Sequence, residues 1–385
     1  MAAADADWED FPSYSDLLRG IREFLEKTYS GTFIEGKTFH VESTWQYCNF
    51  SVYDILFVIL LSIIWTILRS LATEGIFKPL AHYYALTPTN QAKMPESAWK
   101  FTYYLCAWSY ALYVVILSGN YMFFQKPSTV WENIIARDIK RTELGTKDWS
   151  LTESPPLDIY IMYMAQCGFY VHSLYATMFL DTWRKDSLVM MIHHVLTVTL
   201  ISISYSLRYH NIGSLVLFTH DACDILLEFT KLNVYFKIQK GKLMRRHEIF
   251  ANISFFCFTV AWYVCRLYWY PLRVLYTATS DVERLQLVLP GALLMNSLLW
   301  ILQILNIYWF LFIIQFLFRV ATGQVREVDD TREYDVEEKL KLTSKTHSTK
   351  NGLLNGNVKT NGNCDEGVIL NGNVTGTPSK RDKKD

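Results

Sequence analysis

The stretch "MMIHHVLTVT", Met190–Thr199, decides the fold. Two adjacent histidines, His193 and His194, sit inside an apolar run that extends from Leu188 to Ile203. The run is long enough to be most of a membrane span. The chain has 385 residues, 51% of them hydrophobic, and its apolar residues gather in further runs of this kind. A soluble core does not need such uninterrupted runs, so the chain reads as a bundle of membrane helices. Lys plus Arg and Asp plus Glu both number 37, and this balance gives no reason to expect a nucleic-acid partner.

Candidate spans cover residues 53–73, 101–123, 157–180, 187–207, 211–232, 250–270 and 287–320. The expected fold class is therefore all-α, a polytopic membrane helix bundle of about seven transmembrane helices. Residues 1–52 read as an N-terminal segment with no apolar signal core. Within it Tyr14, Leu17, Leu18, Ile21, Phe24 and Leu25 share one face of an amphipathic helix. That face suits either a membrane surface or plain packing on the bundle. Residues 53–94 hold the first span and its connection, and 326–385 form a polar tail whose Asn-Gly repeats predict disorder.

Basic residues set the expected orientation. Lys231, Lys237, Lys240, Lys242, Arg245 and Arg246 cluster around one acidic residue, Glu248, so this loop is assigned to the cytosol. Alternation then makes 74–100, 181–186 and the tail cytosolic and the N-terminus lumenal. The 125–156 loop fits less well, because its basic residues are diluted by acidic ones.

Polar residues inside the spans carry the chemistry. In "LFTHDACDILLEFTK", Leu217–Lys231, the residues Asp221, Asp224, Glu228 and Lys231 are spaced by three, four and three. At about 3.6 residues per turn they form one stripe, with His220 beside it. Each ionisable group at mid-membrane costs roughly 2.5–3.5 kcal/mol, so the stripe must face a bundle interior or a watered cavity. Asp186, His193, Thr197 and Ser204 likewise share a face, with His194 about 100° round the helix. A salt bridge would account for Glu228 and Lys231 alone. Paired histidines opposite carboxylates point to acid–base or nucleophilic work.

Other chemistries fit poorly. There is no HExxH, no histidine box, no CxxC and no G-x-S-x-G elbow, so neither a metal nor another cofactor is expected. Cys223 points away from the acidic stripe and reads as a packing residue.

The two stretches "DTWRKDSLVMMIHHVLTVTLISISY" and "NIGSLVLFTHDACDILLEFTKLNVY" resemble the Lag1 motif of ceramide synthases, in the TRAM–Lag1–CLN8 membrane family. The resemblance rests on Arg184, Asp186, His193, His194, Tyr205, Gly213, His220, Asp221, Asp224, Glu228 and Lys231, and its span pattern covers roughly 95–325. Only about 30 residues separate the first two spans, so the chain is similar to the type without a homeodomain-like insert. The resemblance implies an N-acyltransferase of the endoplasmic reticulum membrane. It would join a fatty acyl-CoA, stearoyl-CoA for this type, to sphinganine or sphingosine and yield a (dihydro)ceramide. Acyl-CoA would be a substrate rather than a cofactor, and membrane lipids would surround the protein. A homo- or hetero-dimer with related synthases remains open.

The implied catalytic set is His193, His194, Asp221 and Asp224. His193 would be the acyl-accepting nucleophile or the principal base, with Asp224 orienting it. Arg184, Lys185, Asp186, His220, Glu228 and Lys231 would form the CoA rim or structural support. The basic loop could equally be only a topology signal. The resemblance also points to the connection between the last two spans as the acyl-length determinant: Tyr276, Thr277, Ala278, Thr279, Ser280, Asp281, Val282, Glu283, Arg284, Leu285 and Gln286. The rival reading is a non-enzymatic relative that handles or transports lipid, since buried Asp and His also serve proton-coupled transport.

Overall fold

The computed structural model describes residues 10–30, 47–144, 154–281 and 289–322. It is a helical membrane bundle. Helix α1 spans Tyr14–Ser30. Helix α2 spans Val52–Ala72 and runs on through a wide π turn to Tyr83. Then follow α3 (Pro88–Leu112), α4 (Glu132–Leu144), α5 (Leu157–Phe179), α6 (Ser187–Ser206) and α7 (His210–Phe236). Helix α8 (Arg245–Trp262) continues in π geometry through Tyr263–Leu275 and Thr277–Asp281, and α9 spans Ala292–Ala321.

Local sequence explains the boundaries. Ser51 caps α2 reciprocally with Asp54, a capping box. Thr87 caps α3 through the Asn90 amide, and Pro88 occupies the first turn, where a missing N–H costs nothing. This pair starts α3 well before the expected span at 101. The connection expected over 74–100 is consequently mostly helix, with only residues 84–87 between α2 and α3. The basic loop is also structured. Ile238–Gln239 pairs with Lys242–Leu243, and Lys240 and Gly241 take the positive φ values of 49° and 72° that such a tight hairpin turn requires.

Among the described residues, five of the seven long helices are both long and apolar enough to cross a membrane: α2, α3, α6, α8 and α9. The other two, α5 and α7, are long enough but more polar, and they are largely buried by their neighbours. Helix α7 packs on α3, α8 and the π stretch after α8. That central position explains its composition, because polar side chains there are screened from lipid by other helices. Helix α2 is the opposite case. Leu56, Ile59, Leu60, Ile63 and Ile67 are exposed, as a lipid-facing helix requires. It meets α5 where Gly168 lets the backbones approach; a Cβ there would lie 2.7 Å from Leu61 Cβ.

Contacts between connections sort them into two ends. At one end Asn49 donates to the Ser206 carbonyl (2.8 Å), Asn133 to the Arg208 carbonyl (2.9 Å) and Tyr209 to the Pro290 carbonyl (2.8 Å). At the other end Arg69 pairs with Asp181 (2.6 Å), and Asn90 donates to the Tyr235 carbonyl (3.0 Å). The seven helices therefore alternate in direction, as the sequence predicts.

Helix α1 buries a narrower face than expected. Leu17, Gly20 and Phe24 are buried, Ile21 is half-buried, and Tyr14, Leu18 and Leu25 stay exposed. It packs on the end of the α8 extension, where Tyr14 donates to the Leu267 carbonyl (2.6 Å).

Candidate active site

Two cavities meet inside the bundle. The larger, about 220 Å³, opens among α2, α3, α5, α6, α7, α8 and α9. Its polar lining includes Arg69, Lys100, Asp181, Arg184, His193, His194, Asp224, Glu228, Lys231 and Arg266. The smaller, about 50 Å³, is lined mainly by apolar groups such as Leu200, Ile201, Ile212, Leu217, Met295 and Leu299. Among the described residues only His193 and Arg266 line both.

The α6 face works as its spacing predicts. Asp186 and His193 line the larger cavity, and His193, Thr197 and Ser204 line the smaller. The His193 ring stands edge-on to Trp309, 5.3 Å between centroids. Its Nδ1 is buried with no hydrogen-bond partner among the described residues. His194 is buried and lines only the larger cavity, with Nδ1 3.4 Å from the Thr177 hydroxyl.

The α7 stripe divides. Asp224, Glu228 and Lys231 reach the larger cavity, and Lys231 donates to Glu228 at 2.8 Å. Asp221 lines neither cavity; it is fully buried and accepts from the Gln166 amide of α5. Asp224 does not orient His193. Its Oδ2 accepts from Arg266 Nη2 at 2.8 Å, because the π stretch after α8 carries a guanidinium into the space beside it. His220 is held on both nitrogens: Nδ1 lies 2.9 Å from the Val216 carbonyl and Nε2 3.2 Å from the Asn306 amide. Since a carbonyl only accepts, Nδ1 carries the proton and Nε2 accepts from Asn306. That arrangement is structural support.

At the Arg69–Asp181 end of the bundle an alternating chain of charges borders the larger cavity. Arg69 pairs with Asp181, Asp181 with Lys100 (2.8 Å), Lys100 with Glu96 (2.8 Å) and Glu96 with Arg184 (2.8 Å). Burial alone would raise the pKa of Asp181, which lies between helices. The Lys100 ammonium, with Arg69, outweighs this and holds it below the usual carboxylate range. Lys185 is exposed and lines neither of these two cavities, and nor do Lys237, Lys240, Lys242, Arg245 or Arg246. Of the expected length-determining segment, Tyr276–Asp281 is described and Val282–Gln286 lies outside the described residues. Thr277, Ala278 and Thr279 are buried; Trp131 donates to the Thr277 carbonyl (3.2 Å) and Asn296 to that of Ala278 (3.2 Å).

Sequence reading missed Arg69, Glu96, Lys100, Asp181 and Arg266 as site residues. Arg266 had a usable signal: it is a lone charge inside the apolar run "AWYVCRLYWY", and an ionisable residue within a span is functional by default. The four others sit near span ends, where charge is ordinary.

Comparison with known proteins gives the family. A TLC domain of the TRAM–Lag1–CLN8 family matches residues 93–315. The chain is 44% identical to Ceramide synthase 1 of Homo sapiens over 78% of its length and 82% of that protein's. It is 42% identical to Ceramide synthase 1 of Mus musculus, over 82% of this chain and 85% of that one. Ceramide synthase LOH1 of Arabidopsis thaliana is 30% identical over 75% of this chain and 93% of its own. The matched region contains His193, His194, Asp221, Asp224 and Arg266, and the chain belongs to the ceramide synthase family, with the type-1 enzymes among its relatives.

Proposed function

We propose that this ceramide synthase transfers a long acyl group, stearoyl, from CoA to a sphingoid base at His193. The observation that carries the reading is the position of His193 where the larger cavity, which holds the charged side chains among apolar ones, meets the smaller, lined almost wholly by apolar groups. The apolar lining of the smaller cavity suits the start of a saturated acyl chain, and the cavity must widen beyond its about 50 Å³ to admit the rest. CoA phosphates and the amino-alcohol head suit the larger cavity, with Arg69, Lys100, Arg184 and Lys231 on its walls. The thioester carbonyl then lies at the junction, within reach of His193 Nε2.

A thioester is already activated, so the residues need only supply a nucleophile or a base. As nucleophile, Nε2 attacks the carbonyl carbon, the C–S bond breaks, and CoA leaves as a thiol after taking up a proton. The sphingoid amine then attacks the acyl-imidazole, loses its proton and releases His193. As base, His193 instead takes the amine proton during direct attack. His194, Asp221 and Asp224 support the site. The end of the bundle bearing Arg69, Asp181 and the basic hairpin faces the cytosol, in the endoplasmic reticulum membrane, with the N-terminus lumenal.

The test incubates purified protein with sphinganine and acyl-CoAs of graded length, then with stearoyl-CoA alone. Preferred C18 turnover and an acyl adduct on His193 by mass spectrometry support the nucleophile. Turnover without an adduct under trapping conditions selects direct attack, and a profile peaking at another length rejects the stearoyl assignment. Transport of lipid without consumption of acyl-CoA would reject the enzyme reading.

A further inference from the structure

We propose that Arg266 is a catalytic residue whose Nη1 donates to the acyl carbonyl oxygen as that oxygen becomes an oxyanion beside His193. The proposal rests on the reading of the junction as the place of acyl transfer.

Arg266 is almost wholly buried, yet its guanidinium is only half used. Nη2 donates twice, to Asp224 Oδ2 (2.8 Å) and to the His220 carbonyl (3.0 Å). Nε is buried with no acceptor, and Nη1 donates to none among the described residues. A guanidinium has five N–H donors, and leaving buried donors unpaired is costly. If neutralising Asp224 were its whole task, a group with fewer donors would leave fewer unpaired. The geometry instead fixes Arg266 in place and leaves donors over. Asp224 and the His220 carbonyl hold one nitrogen, and the Trp262 ring lies 4.0 Å from Cζ. A π-helical stretch, Tyr263–Leu275, carries the residue, and such local departures from α geometry often mark functional sites.

Position supplies the second argument. An acyl-CoA whose tail enters the smaller cavity and whose CoA occupies the larger, charge-bearing one places its carbonyl at their boundary. His193 and Arg266 are the two residues lining both. One offers a lone pair to carbon and the other N–H donors to oxygen. When the nucleophile's N–C bond forms, the C=O π pair moves onto oxygen. Collapse restores C=O, breaks C–S and releases CoA, which takes the proton the nucleophile loses. A fixed donor in a site shielded from water stabilises the charge between those two events.

The test replaces the carbonyl oxygen with sulfur. Rates with stearoyl-CoA and with its dithioester analogue are compared in the full-length enzyme. The same two acyl donors reacting with a free amine in solution give the uncatalysed oxygen-to-sulfur rate ratio. Sulfur is the poorer hydrogen-bond acceptor, so the enzyme should favour the oxygen substrate by much more than the uncatalysed reaction does. Arg266→Met should lower kcat by about 10²–10³-fold, raise KM far less, and return the ratio to its uncatalysed value. Arg266→Lys should fall between. Binding of a non-reactive thioether analogue shows which variants fold. A wild-type ratio equal to the uncatalysed one overturns the proposal with no variant needed, and so does a full sulfur effect in Arg266→Met. The oxyanion forms whether His193 or the amine attacks. Absence of an acyl-His193 adduct with an intact sulfur effect would therefore fault the nucleophile role and leave Arg266 standing.

Discussion

Arg266 Nη2 lies 2.8 Å from Asp224 Oδ2, tying the π stretch after α8 to α7 at the wall of the larger cavity. The partner of Asp224 is thus an arginine rather than His193. Removing the carboxylate leaves a buried cation uncompensated. Asp224→Ala should destabilise the enzyme by about 3 kcal/mol, the lower end for breaking a buried pair, because the Asp224 side chain keeps 19% exposure. Asp224→Asn, which keeps an acceptor oxygen, should lose less. Thermal unfolding in detergent measures both; unchanged melting of Asp224→Ala would count against the charge argument, and equal melting of the two variants against the acceptor's share.

His193→Ala should abolish acyl transfer while the protein still inserts and binds an acyl-CoA thioether. A positioned acid–base group contributes about 10²–10⁴-fold, and loss of a nucleophile costs at least as much. His194→Ala should reduce the rate less, because His194 lines the larger cavity and not the junction with the smaller one. Initial rates of ceramide formation decide it, and near-normal turnover in His193→Ala would remove His193 from the mechanism.

Gly213→Ala should damage the apolar chamber. A Cβ at 213 would stand 1.7 Å from the Tyr163 hydroxyl and 2.9 Å from its ring carbon Cζ, and Tyr163 is itself tied to Ser204 at 3.2 Å. Overpacking of this kind costs about 1–3 kcal/mol. Tyr163→Phe in the same background should recover part of the loss and no more, since the ring remains. Melting temperatures of the single and double variants provide the comparison.

Exchange of residues 276–286 for the segment of a relative with another chain preference should shift the acyl-CoA profile. Since α1 packs on this segment, with a Gly20 Cβ placed 1.8 Å from Ser280 Oγ, Gly20→Leu should also alter the profile. One methylene discriminates by only about 1–3 kcal/mol, so the shift should be graded. An unchanged profile in an active chimera would show that side chains inside the bundle set chain length.

Little or no N-glycan is expected. Asn252 lies within α8, Asn49 is two residues before the Ser51 cap of α2, and Asn373 falls in the tail. Glycosidase-sensitive mobility with and without Asn373→Gln reads the orientation directly, and a glycan on Asn373 would invert it.

The sequence by itself determined the number and order of long helices, because apolar run length follows from membrane thickness. It also determined which α6 face carries Asp186, His193, Thr197 and Ser204, since helical periodicity is local. Four ionisable residues on α7 required that helix to be central, and it is. The partner of each group was not legible. Lys100 meets Asp181 across 81 residues, Arg184 meets Glu96 across 88, and Arg266 meets Asp224 across 42. Spacing along one helix says which residues share a face, but not what the facing helix presents. Only the packing of α5, α6, α7, α9 and the α8 extension against one another decided that Asp221 binds Gln166, that His220 is tied to Asn306, and that His193 shares its junction with Arg266.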